Sequence, residues 1–265
     1  MTHSRTSSAL TALATAEFLQ FSRNKTLVFL ATVFPIGLPL VTYFLATRDS
    51  APTTATAATT FEMLALLALL FVQYYSVLSL VTTRRGEGVL KRLRTGAAED
   101  WQILTAPAVP GVPLTLACTL VVAAVVYGAG TPAPVNPIAI ALGLFGGIVL
   151  FSVLALATSA VTKNAEAAQV TSLPVMVLAM IGMGSIRGVL PDRLAELAQW
   201  TPFAAVSDLV ALGTSGRIAT AGASDPALDF AGTCAELGRP FATLAAWTVV
   251  ALMVTRRSFR WDDRG

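Results

Sequence analysis

Charge is scarce in this chain. Only 12% of its 265 residues are charged and 55% are hydrophobic, with a mean hydropathy of +0.70. A water-soluble domain of this size carries about 25% charge, so the polar surface needed to cover a soluble core is missing. One histidine is present, His3, ahead of the first apolar run. With no histidine in any apolar run, a Ser–His intramembrane protease and a zinc protease are both excluded. The three lysines follow Asn24, Leu90 and Thr162. A phosphate-cradling loop needs a Gly-Lys pair, so ATP is not held that way. The motif Gly-x-Ser-x-Gly is also missing. The two cysteines, Cys118 in an apolar run and Cys234 in an expected outer loop, offer neither a disulfide pattern nor metal spacing. Ionisable residues are rare inside the apolar runs. Glu62 is placed at the outer edge of one, and the deepest polar group is Gln73, followed by Tyr74, Tyr75 and Ser76. A proton- or ion-coupled carrier would have little to work with.

What remains is apolar length. Six runs approach the 17–25 residues needed to cross a bilayer: 27–46, 61–81, 103–127, 137–161, 170–186 and 240–255. They predict one all-α integral membrane domain over residues 1–265. Prolines 35, 39, 107, 110 and 113 fit as kinks in a membrane bundle. Alternate sides of the runs carry thirteen and five of the eighteen Lys and Arg residues. The positive-inside rule then puts both termini in the cytoplasm, and the net charge of +3 reflects orientation rather than nucleic acid. Residues 9–22 lack the compact apolar run of a cleaved signal. Leu10, Leu13, Ala14, Phe18 and Phe21 share a helical face, which predicts a helix lying on the inner membrane surface. Glu17 falls on that face, either at the interface edge or paired with a base from another element.

The segment 187–239 is expected outside. Pro191 and Asp192 suit a helix start, and Leu194, Leu197 and Ala198 give it an apolar side that runs to Trp200 and Pro202. Phe203–Gly213 is apolar but too short to span, so it is expected to be re-entrant or interfacial. Residues 214–239 read as an exposed loop. Gly143, Gly146 and Gly147 suit close helix packing. Gln73, Tyr74 and Ser76 either face a substrate path or satisfy one another between helices. The outer helix with Pro191, Leu194, Trp200 and Pro202 is either an external gate or an aromatic interface anchor.

The densest charge lies between the second and third runs. Arg84-Arg85-Gly86-Glu87-Gly88-Val89-Leu90-Lys91-Arg92-Leu93-Arg94 holds five bases in eleven residues. A short helix here would gather Val89, Leu90 and Leu93 on one side and Lys91, Arg92 and Arg94 around the rest. That side could seat in a groove of a soluble partner, with Glu87 pairing to a base there; alternatively the bases anchor at lipid headgroups.

Three places in the chain resemble a known family. Glu17…Arg23 followed by Phe34-Pro35 is similar to an amphipathic lead-in helix and proline-bearing first span. Arg85–Arg94 resembles an inner loop of charge, glycine, leucine and bases. Gly188…Pro191…Leu194…Trp200-Thr201-Pro202-Phe203 resembles an outer segment after the fifth span, and Arg257-Ser258-Phe259-Arg260-Trp261 is also similar. Together they resemble the permease subunit of type-2 ABC exporters of the daunorubicin-resistance type. Many relatives carry proline soon after the inner-loop bases; this chain has Thr95-Gly96-Ala97. The resemblance implies a bacterial plasma-membrane protein, not itself an enzyme. It implies a second permease copy or paralogue and two ATP-binding subunits that hold ATP and Mg, with no cofactor in this chain. Residues Glu87, Gly88, Val89, Leu90, Lys91, Arg92, Leu93 and Arg94 would couple to those subunits. The cargo would be a hydrophobic drug, an antibiotic or a lipid-like molecule. The alternatives are a polysaccharide or glycolipid export permease and a non-transporting membrane scaffold.

Overall fold

The computed structural model describes residues 11–261, apart from 12, 14, 20, 24, 97, 223, 224 and 260. The expectations for His3, Arg5, Leu10, Ala14, Arg260 and Arg264 lie outside the described residues. The described residues are helical or irregular, with no strand among them. Every described position from 11 to 23 is helical. The helices that follow are α1 (Lys25–Ala46), α2 (Thr54–Gly86), α3 (Val89–Arg94), α4 (Asp100–Gly128), α5 (Pro137–Ser159), α6 (Ala165–Ile181), α7 (Asp192–Ala198), α8 (Pro202–Ser215) and α9 (Phe230–Ser258). Four of these, α2, α4, α5 and α9, are long and apolar enough to cross a membrane. Shorter apolar helices, Ala31–Ala46 within α1 and Ala165–Ile181, occupy the first and fifth expected runs.

Helix α2 is the axis of the bundle and begins earlier than its hydropathy suggests. Thr53 caps it: its hydroxyl accepts from the Thr56 amide, and the Thr56 hydroxyl accepts from the Thr53 amide at 2.9 Å. The alanine-rich stretch that follows has high helix propensity, so residues 54–60 join the helix rather than a loop. Glu62 therefore sits eight residues inside α2 and is 5% exposed, not at its edge. Between Ala68 and Tyr75 the helix widens to π geometry. The Ser76 hydroxyl donates to the Phe71 carbonyl, five residues back, at 2.8 Å.

The prolines act differently in α1 and α4. Pro35 and Pro39 lie inside a continuous α1. Pro107 instead sits in a 3-10 turn, Ala106–Ala108, that interrupts α4, and Pro110 caps the resumed helix at Gly111. The fifth run is also broken. A step at Ser172, before Pro174, divides α6. The chain then bends at Gly182 before a single helical turn, Gly184–Arg187. A Cβ at Gly182 would meet Thr201 Oγ1 at 2.6 Å and the Ala204 amide nitrogen at 2.7 Å. The start of α8 can approach only because the side chain is missing.

Helix α8 is the element that sequence reading least anticipated. All fourteen of its residues are buried, enclosed by α2, α5, α6 and α9. Lipid tails are as apolar as leucine, so helices in a membrane associate through close fit rather than the hydrophobic effect. Helix α5 supplies that fit with its glycines. A Cβ at Gly143 would meet Leu209 Cβ at 3.0 Å, and one at Gly147 would meet Val206 Cγ2 at 3.2 Å. A Cβ at Gly146 would meet Leu244 Cδ1 of α9 at 2.9 Å. Residues 214–239 are not one exposed loop. Thr214 and Ser215 complete the buried α8. The segment Phe230–Glu236, capped by Asp229, is helical and contains Cys234. Asn136 at the start of α5 fixes it, donating to Thr233 Oγ1 at 3.0 Å and Cys234 Sγ at 3.4 Å.

Candidate functional site

Two polar clusters sit at opposite ends of α2. The first is built where α2 leaves the bundle. Arg84 and Arg85 are 6% and 3% exposed. Arg84 forms an ion pair with Glu17 of the N-terminal helix, whose side chain is fully buried. Glu17 thus takes a base from another element, and its helical face divides: Phe21 is buried and Phe18 exposed. Burial pushes the Glu17 carboxyl up to about 7, and Arg84 offsets part of that rise. Arg85 donates to the Ser159 carbonyl at 2.7 Å and also to the Thr162 carbonyl. Ser159 ends α5 and Thr162 follows in the turn beyond it, where the helix dipole favours a cation. Adjacent arginines thereby tie α2 to two different elements.

A left-handed glycine then reverses the chain. Gly88 has φ 67° and its amide donates to the Arg85 carbonyl at 3.0 Å, so α3 starts abruptly. Its orientation corrects one expectation. Leu90 is 1% exposed and belongs to the main core, with Leu93 packed against it. The apolar side is therefore spent on this chain's own interior and does not await a partner's groove. A short helix shows which residues share a face but not which body covers that face. Glu87, Lys91 and Arg92 point outward instead, with Val89 half-buried. Arg92 donates to the Glu87 carbonyl at 3.1 Å. Arg94 lies 3.3 Å from Asp100 and 4.7 Å above the Trp261 ring. Trp261 in turn stacks edge-on against Phe259, so the closing aromatic motif buttresses α3.

The mid-bundle polar residues face other helices. Gln73 is fully buried in the π segment, and its Oε1 accepts from Ser152 of α5 at 3.3 Å. It presses against Gly111, where a Cβ would lie 2.7 Å from Oε1. Tyr74 donates to Thr158 Oγ1 at 3.1 Å, and Ser76 bonds its own helix.

The second cluster lies at the far end of α2. Asp208, 1% exposed on α8, accepts from Arg187 at 2.7 Å and from Arg239 at 2.9 Å. Arg187 also donates to Ser207 Oγ at 3.2 Å, and the Ser207 hydroxyl donates to Glu62. Glu62 accepts from the Gly184 amide at 2.6 Å. Arg239 additionally donates to Gln199 Oε1 at 2.7 Å. Asp208 was missed in sequence because its apolar neighbours in Phe203–Gly213 swamp one acid. The available signal was that acid itself, since a lone charge in such a segment is expensive unless paired. The expected outer residues divide. Pro191 caps α7, and Leu194, Leu197 and Trp200 are exposed. Pro202 is buried at the start of α8. Trp247 donates to the Trp200 carbonyl at 2.7 Å.

The family model for the ABC-2 type transporter matches residues 8–210. No curated protein matches the sequence. The matched range takes in Glu17, Arg84–Arg94, Arg187 and Asp208, more than three-quarters of the chain. A domain of this family is a transport component, not itself catalytic, that works with an ABC ATP-binding subunit. The chain, with its apolar helices and matched domain, belongs to the ABC-2 type transporters as a multi-pass membrane permease.

Proposed function

We propose that this chain is the permease subunit of an ATP-driven exporter of the daunorubicin-resistance type in the bacterial plasma membrane. It works as a pair of permeases with two ATP-binding subunits, which hold ATP and Mg. The helices α1, α2, α4, α5, α6 and α9 form six spans, with both termini cytoplasmic, and α8 is a re-entrant helix enclosed among them. The cargo is a hydrophobic drug, antibiotic or lipid-like molecule, in keeping with the apolar spans.

One observation carries the coupling role. Glu87, Lys91 and Arg92 form an exposed charged ridge on a helix rooted by the buried Leu90. A partner pushing on that ridge moves α3 and, through Gly88, the end of α2. Arg84 and Arg85 pass the displacement to the N-terminal helix and to α5. Gln73, Tyr74 and Ser76, held between helices, contribute to bundle packing along the cargo route. Exposed Leu194 and Trp200 favour a membrane-interface anchor for α7.

The test is Glu87→Ala beside Leu90→Asp, each co-expressed with its ATP-binding subunit and reconstituted in liposomes. Glu87→Ala is expected to leave the detergent elution profile unchanged while ATP-driven daunorubicin transport falls at least tenfold. Leu90→Asp places a carboxylate in the core and is expected to lose the monodisperse peak altogether. Undiminished transport by Glu87→Ala would overturn the coupling role.

A further inference from the structure

The charges around Asp208 form one connected network across five pieces of the chain: α2 through Glu62, the turn Gly184–Arg187, α8 through Ser207 and Asp208, the Ala219 amide, and α9 through Arg239. Its two acids and two arginines balance. Breaking a buried ion pair is costly, yet an apolar replacement of similar volume is often as stable. In a chain with so little charge, cohesion alone is a weak reason for such a network. A releasable contact is a stronger one.

The network is asymmetric in a way that shows where release starts. The Arg187 side chain is 2% exposed and meets both Asp208 oxygens, at 2.7 and 3.4 Å. The Arg239 side chain is 40% exposed and makes one contact to Asp208. It borders a cleft of about 280 Å³ lined also by Ala195, Glu196, Gln199, Ile218, Thr220 and the nearly enclosed Arg187. Solvent weakens an exposed pair relative to a buried one, and the cleft gives the guanidinium room to swing away. Arg239 is also the second residue of the helical stretch Gly238–Ser258 within α9, so releasing it removes a side-chain tie between that stretch and α8.

We infer that Arg239–Asp208 is a releasable outer latch of the transport cycle. In this state it holds α9 against α8, and it opens when the ATP-binding subunits engage, while Arg187 and Glu62 keep α8 anchored to the bundle. The inference rests on the exporter reading above and adds positioning residues for it.

Thr243→Cys reports the latch, because Thr243 is buried one turn along α9 from Arg239, on the segment that release would free. In a Cys234→Ser background the remaining Cys118 is buried. The permease with its ATP-binding subunits is labelled with a membrane-impermeant maleimide, first without nucleotide and then trapped with ATP, Mg and vanadate. Labelling is expected to be at least tenfold faster in the trapped complex. Arg239→Gln is expected to raise the nucleotide-free rate at least fivefold. Equal slow labelling in both states, with vanadate-trapped nucleotide retained on the complex, would overturn the latch and leave the exporter reading standing. Failure of the purified complex to trap nucleotide would overturn the exporter reading and the latch with it.

Discussion

The two ends of α2 solve one problem, a charge inside an apolar bundle, by opposite means. At the Asp208 end, Asp208 meets two arginines side chain to side chain, and Glu62 is held by the Ser207 hydroxyl and the Gly184 amide. At the Arg84 end, the described contacts include backbone oxygens as well as an acid. Arg84 pairs with Glu17, and Arg85 donates to the carbonyls of Ser159 and Thr162, at and just beyond the end of α5. The first arrangement is a closed network whose members have few substitutes. The second is open: a carbonyl has a second lone pair and can rebond to water or to a neighbour. The Asp208 end is thus built to hold one arrangement, and the Arg84 end to be displaced without coming apart.

That contrast breaks most sharply on two alanine substitutions. Arg187→Ala strips Asp208 of its buried partner and is expected to cost about 3–5 kcal/mol. Arg85→Ala leaves the Ser159 and Thr162 carbonyls short of a donor and is expected to cost about 1–3 kcal/mol. Thermal unfolding of the detergent-solubilised variants ranks them; a larger loss for Arg85→Ala reverses the comparison. A smaller effect is expected at Gly88. A Cβ there meets nothing within 4 Å, so Gly88→Ala bears only the left-handed backbone penalty, about 1–2 kcal/mol. The same unfolding assay measures it, and no loss would mean that the turn relaxes freely.

An effect of another kind, visible against pH, is expected from Glu17→Gln. The carboxyl of Glu17 moves from an ordinary 4.5 to about 7 in the folded chain, so between those values the folded state keeps a proton that the unfolded state releases. The stability this group contributes is full below about 4.5 and is lost as pH rises through about 7. The wild-type unfolding temperature should therefore carry a downward component across that window, and Glu17→Gln should lack it. Parallel pH profiles for the two proteins would show that Arg84 holds Glu17 ionised throughout.

Much of this architecture was legible in the residues. The apolar runs marked most of the membrane helices, because hydropathy over about twenty residues is a direct physical signal. Pro191 and Asp192 marked the start of α7, and the helical face of residues 10–21 exposed Glu17 as out of place. Three features were hidden for separate reasons. The start of α2 was masked because its threonines lower hydropathy without opposing a capped, alanine-rich helix. The direction of Leu90 depends on where the bundle surface lies, which no local pattern encodes. The Asp208 network joins residues as far apart as Glu62 and Arg239, so its members appeared as isolated charges in different segments.

Helix α8 has no outward side: each of its fourteen residues, Pro202 through Ser215, is buried. It therefore lacks the freedom of ordinary membrane helices, where one flank faces lipid and accepts almost any greasy residue. On saturation mutagenesis, this short stretch should emerge as a band of near-uniform intolerance, flanked by the permissive surfaces of α7 and α9.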